Sequence, residues 1–178
     1  MTVMSMCAKR FLLYFFFSIA SVGLQAQDLS QLRNAYKAAR ELESSNEFLY
    51  KTLSSKQSKS ATEVAYEAGS KALKAKYSSN PYRKLYWIKE AEKSFSAAVA
   101  MNPEGFEIRY LRYAVELNTP AITGCSSHLN EDRTFLIQAI RNKRYAASER
   151  ELVQEVIRFL KLYSNLSTSE LNLLQEAF

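Results

Sequence analysis

The chain has 178 residues, with 24 Lys and Arg against 18 Asp and Glu, one His and two Cys. A net charge of +6 is too mild to argue for nucleic acid, and two cysteines cannot build a disulfide-stapled scaffold. Only four glycines and three prolines interrupt a sequence rich in Ala, Leu, Glu and Lys, which favours helix, and no stretch keeps the two-residue alternation of a strand.

The N-terminus has three zones. Lys9-Arg10 closes a short start, Phe11 to Val22 is a 12-residue apolar run, and Ala26 offers a small residue before Gln27. That order is the pattern of a signal peptide over residues 1–26. A membrane-spanning helix needs about 20 apolar residues, and Gln25, Gln27 and Asp28 arrive too soon. Cleavage predicts an exported chain, periplasmic or secreted, of 152 residues with net charge +4. Retention of 11–26 predicts a membrane-associated factor instead. Cys125 is then the one remaining thiol, which excludes an intramolecular disulfide and suits a buried small apolar residue.

Eight helices are predicted, at 28–43, 46–54, 61–78, 81–101, 104–117, 131–143, 149–163 and 168–177. Four capping boxes mark helix starts: Ser44 with Glu47, Ser60 with Glu63, Ser148 with Glu151, and Ser167 with Glu170. Asn80-Pro81, Asn102-Pro103 and Thr119-Pro120 each place a capping residue before a proline that suits a first helical turn. The polar stretch 54–60 divides an N-terminal amphipathic segment, 27–59, from a helical domain, 60–178. Apolar stripes at helical spacing predict the core. They are Leu85, Ile88, Ala91, Phe95, Ala98 and Val99, then Ile108, Leu111 and Val115. Leu152, Val153, Val156, Ile157, Leu160 and Tyr163 follow, then Leu171, Leu174 and Phe178. The fold class expected is all-α, built from antiparallel helical hairpins.

Within the fourth helix and just past it, Ala91, Phe95, Ala98 and Pro103 stand at intervals that resemble the second half of a tetratricopeptide repeat. Paired alanines let two helices approach, Phe95 fills the space between them, and the proline opens the next helix. Tyr82 fits the tyrosine of the repeat's first helix, but Pro81 interrupts where that helix should run, so one degenerate repeat is matched. Asn80 to Leu85, Glu107 to Arg112 and Leu129 to Asp132 also resemble a group of small exported bacterial proteins. The first resemblance implies an α-solenoid-like bundle that holds peptides or protein partners on a concave surface; the second supports the exported address.

Two constellations are candidates for function. Cys125-Ser-Ser-His128, followed by Glu131 and Asp132, can be a thiol nucleophile with its base, or a helix start with Asn130 as cap and two acids in the first turn. Four zinc ligands cannot be assembled, because no second Cys/His pair exists. Tyr77, Tyr82, Tyr86, Trp87, Tyr110 and Tyr113 are interleaved with Arg83, Lys84, Lys89, Arg109 and Arg112. Aromatic and arginine side chains dominate binding hot spots, so Arg83, Tyr86, Arg109, Arg112 and Tyr113 are expected to form a surface for an envelope or secreted partner protein. The function expected is a non-enzymatic interaction module with no cofactor or metal. The alternative is a small envelope enzyme using the Cys125 and His128 loop.

Overall fold

The computed structural model describes residues 28–120 and 123–176, and every regular element among them is helical. The signal-like segment, residues 121–122 and Phe178 lie outside the described residues. The helices are α1 (28–41), α2 (Glu43–Ser54), α3 (Ala61–Tyr77), α4 (Pro81–Met101), α5 (Phe106–Leu117), α6 (Leu129–Arg141), α7 (Arg150–Tyr163) and α8 (Thr168–Glu176). A 3-10 turn, Ala147–Glu149, leads into α7. No helix among the described residues is long and apolar enough to cross a membrane.

Local chemistry explains most of the boundaries. Ser60 accepts from the Glu63 N–H while the Glu63 carboxylate accepts from the Ser60 N–H, a complete box at the start of α3. Ser167 and Glu170 do the same for α8. Asn80 accepts from the N–H groups of Tyr82 and Arg83, and Pro81 takes the first position of α4, where its missing N–H costs nothing. At the end of α6, Lys143 takes a left-handed conformation with φ 50°. The N–H of Lys143 then donates to Ile140 and that of Arg144 to Ala139, the pattern of a Schellman stop.

Other expected caps are corrected. Ser44 lies inside α2, which starts at Glu43 without a side-chain cap. Ser148 sits within the 3-10 turn, and Glu149 instead accepts from the Ala146 N–H. Asn102 closes α4, and α5 begins after Gly105, because residues 103–104 spend themselves on a turn. Thr119 bonds back to the Val115 carbonyl at the end of α5, and the Thr123 N–H donates to the Pro120 carbonyl. Asn130 is the second residue of α6, whose N-cap is His128.

Three consecutive pairs, α2 with α3, α3 with α4 and α5 with α6, run antiparallel, which the cross-contacts show. On α2 and α3, Asn46 meets Ser70 while Lys56, just past α2, reaches back to Glu63. On α3 and α4, Lys71 donates to Ser94 while Lys74 lies over Trp87. On α5 and α6, Arg109 and Arg112 meet Asp132 while Glu116 meets His128. One core cluster joins Leu49, Leu53, Ala65, Ala68, Phe95, Ala98 and Ile108 from α2 to α5, with Ala39 of α1. Thus α2 rests on α3 across the polar 54–60 stretch. A second joins Phe106, Tyr113, Leu136, Ile140, Val153, Val156, Leu160 and Leu174 from α5 to α8. Burying each such large side chain contributes roughly 1.5–3 kcal/mol. Two expected core positions differ: Tyr163 is 64% exposed, because α7 ends there, and Leu85 is exposed beside a cavity.

Candidate functional site

The helices of odd number run side by side in one direction. Tyr36 of α1 packs against Tyr66 and Gly69 of α3, and farther along both helices Lys76 donates to the Arg40 carbonyl at 2.7 Å. Arg33 meets Glu107 at the start of α5, and Lys37 meets Glu155 of α7 at 3.5 Å. Tyr110 and Tyr113 of α5 pack edge-on against Phe159 of α7. With α3 and α4 antiparallel, the first turns of α4 join the same end as Arg40 and Lys76.

Between these four helices lies a cavity of about 1320 Å³. Its wall carries Tyr36, Tyr66, Leu73, Tyr110, Leu111, Leu152 and Phe159, together with Leu85 and Ile88 of α4. Close approach makes that wall. A Cβ on Gly69 would stand 2.7 Å from the Tyr36 hydroxyl, so the Tyr36 ring seats on α3 where position 69 has no side chain. Burial pushes the Tyr36 phenol up to about 12, keeping it neutral.

One end of the cavity is braced by a shared carboxylate. Arg33 donates to both carboxylate oxygens of Glu107 at 2.8 Å, and the Tyr66 hydroxyl donates to the same carboxylate. Three helices are thereby joined through one buried acid. The hydrogen bond to Glu107 raises the Arg33 pKa, and burial pushes the Tyr66 phenol far above its ordinary value, with Glu107 adding to it. Burial also raises Glu149 close by, where Glu107 adds to the effect. The other end carries Arg40, Lys76, Lys84 and Arg158.

The five residues expected to make one partner surface are split. Arg83 is exposed on α4, and Tyr86 is 56% exposed, stacked edge-on with Trp87. Trp87 in turn meets Tyr50, with the Lys74 ammonium over both rings. Arg109, Arg112 and Tyr113 are 8%, 4% and 3% exposed, which corrects their expected place on a surface. The wide buried face of α5 lies against α6, and the acids of α6 consume both arginines. Arg112 grips Asp132 through two bonds of 2.6 and 2.7 Å, and Arg109 adds a third at 2.9 Å. Arg109 also donates to Glu131 and to the Pro103 carbonyl and lies over the Phe135 ring. Burial works against the Arg109 charge, but the bonds to Glu131 and Asp132 outweigh it and raise the pKa. Tyr113 spends its hydroxyl on Ser164 at 2.6 Å.

The nucleophile–base geometry expected as an alternative for the 125–128 loop is not formed. Cys125 is buried and its thiol donates to the Thr123 carbonyl. Burial pushes the thiol pKa up, and Glu92 pushes it further, the reverse of an activated thiolate. His128 turns to Glu116, which takes the backbone N–H at 2.9 Å and lies 2.7 Å from Nδ1. Both contacts anchor the start of α6 to the end of α5. Among the described residues, no three His, Cys, Asp or Glu side chains converge as a metal site.

The sequence pattern places Arg33 and Tyr36 only within an N-terminal amphipathic segment and gives no sign that they, Tyr66 and Phe159 line a cavity. The available signal was the aromatic content of α1, α3 and α5 at helical spacing; what it lacked was which helices face one another. No family model matches the chain, and no curated protein or solved structure does so either.

Proposed function

We propose that this chain is an exported, non-enzymatic helical module of tetratricopeptide-like design that acts by binding. The observation that carries this role is the cavity lined by α1, α3, α4, α5 and α7. In a helical-repeat array the first helix of each hairpin lines the concave surface, and that surface is where such proteins bind. The burial of Ala91, Phe95 and Ala98 between α3 and α4 supports the same design. At about 1320 Å³ the cavity exceeds the 300–1000 Å³ of ordinary small-molecule pockets.

A neutral apolar dye tests it. Nile red should bind the folded full chain saturably at one site, and Ala72→Phe with Ala114→Phe, which fill the wall from α3 and α5, should abolish binding while helicity is kept. Dye uptake unaltered by the filled cavity would rule the cavity out as the site.

A contact with an envelope protein is a second role, favoured by the exposed Arg83 and Tyr86 beside the Tyr50 and Trp87 pair. Arg83→Ala with Tyr86→Ala should lose a crosslinked partner that the Nile red site retains no bearing on. Mass spectrometry of the processed chain tests export, with a new terminus expected near Gln27.

A further inference from the structure

The cavity is polar at its two ends in opposite senses. At the Glu107 end, Arg33 is neutralised, and Glu151 lies one turn of α7 before Glu155. Lys37 and Glu155 pair midway. One turn beyond that pair, Arg40 and Arg158 stand level with each other, and Lys84 joins them from the first turn of α4. Arg40, Lys84 and Arg158 make no ion pair among the described residues. Glu151 and Glu155 are the two carboxylates on the wall, and Glu155 is paired with Lys37. An occupant with one anionic end is therefore oriented by charge.

Several polar groups of the wall between the ends are already engaged. Thr119, Thr123 and Asn118 spend theirs on carbonyls of their own segment, and Tyr66 spends its hydroxyl on Glu107. A peptide backbone there needs a partner for each of its own N–H and C=O groups, and each one left unpaired is costly. A hydrocarbon chain brings no such groups. Along α3 the wall runs from Tyr66 to Lys76, roughly 15 Å at helical rise.

We propose that the cavity takes a single-chain amphiphile with an anionic head, its chain along the inner helices and its head between Arg40, Lys84 and Arg158. This rests on the cavity being the binding site. The test is titration calorimetry of the full chain with laurate, dodecanol and dodecyltrimethylammonium, each below its micelle concentration. Laurate should bind one to one, at least tenfold more tightly than dodecanol, and the cationic amphiphile more weakly still. Arg40→Glu with Arg158→Glu should weaken laurate at least tenfold, leave dodecanol within twofold, and preserve helicity. Equal affinity for laurate and dodecanol, or no effect of the charge reversal, would overturn the anionic head. Failure of both amphiphiles in a protein that still takes up Nile red would overturn the acyl chain but leave the cavity as the site. Loss of Nile red as well would overturn both. A ten-residue apolar peptide binding more tightly than laurate would assign the cavity to a protein segment instead.

Discussion

Removing Asp132 should be among the most damaging single substitutions in this protein. Its carboxylate is fully buried and receives three hydrogen bonds, two from Arg112 and one from Arg109. In Asp132→Ala, Arg109 keeps Glu131 and the Pro103 carbonyl, but Arg112 is left with Glu131 alone, 3.6 Å away. Breaking a buried ion pair by deleting one partner costs about 3–5 kcal/mol, because the remaining charge is uncompensated. A domain of this size has about 5–15 kcal/mol in total, so the variant should unfold at far lower denaturant. Urea unfolding followed by circular dichroism measures the loss. A companion variant, Arg109→Met, Arg112→Met and Asp132→Leu together, should recover most of it, since apolar groups leave nothing unpaired. High salt should change neither result much, because screening reaches buried pairs poorly. A loss below about 1 kcal/mol in Asp132→Ala would refute the view that this network clamps α5 to α6.

Four further expectations concern other parts of the fold. Lys143→Gly should stabilise by about 0.5–1 kcal/mol, because the left-handed backbone there disfavours a side chain; destabilisation in thermal melts would show that the lysine has contacts worth more than that relief. Gly69→Ala gains about 1 kcal/mol of helix propensity but overpacks Tyr36 at roughly 1–3 kcal/mol, so no gain in urea midpoint is expected, and a gain of the full propensity would mean that α1 yields freely. Lysine and arginine partners or a helix-start N–H hold Glu63, Glu67, Glu131 and Glu170 below the ordinary value of 4.5, outweighing the burial that opposes them at Glu63 and Glu67. Their stabilisation is present above 4.5 and is lost as pH falls through the lower folded values, so the melting temperature should drop below about pH 4. Glu149 is raised by burial and has the opposite sign: it opposes folding increasingly as pH rises above the ordinary value of 4.5, and fully above its raised folded value; Glu149→Gln should therefore raise the melting temperature near pH 7, and a decrease would count against that sign.

Local signals set the helices. Asn80-Pro81 opens α4 at the predicted residue, and the reciprocal boxes at Ser60 and Ser167 open α3 and α8, because each involves atoms within a few residues. The stripes of α4 and α7 likewise foretold that Ala91, Phe95, Ala98, Val153, Val156 and Leu160 would be buried. Ser44 and Asn102 failed as start signals: α2 already begins at Glu43, and Asn102 closes α4 before a turn at 103–104. Arg109, Arg112 and Tyr113 were legible as a shared face of α5, but a sequence pattern cannot say what that face meets. Asp132 lies 20 residues beyond Arg112 and Ser164 lies 51 beyond Tyr113, distances at which helical spacing carries no information. The cavity depends on still longer separations, Arg33 to Glu107 and Lys37 to Glu155. Helix type and boundaries were determined by the chain itself, through hydrogen bonds and periodicity within one or two turns. Which charges are buried, and what space the inner helices enclose, was decided only when tertiary packing brought distant segments together.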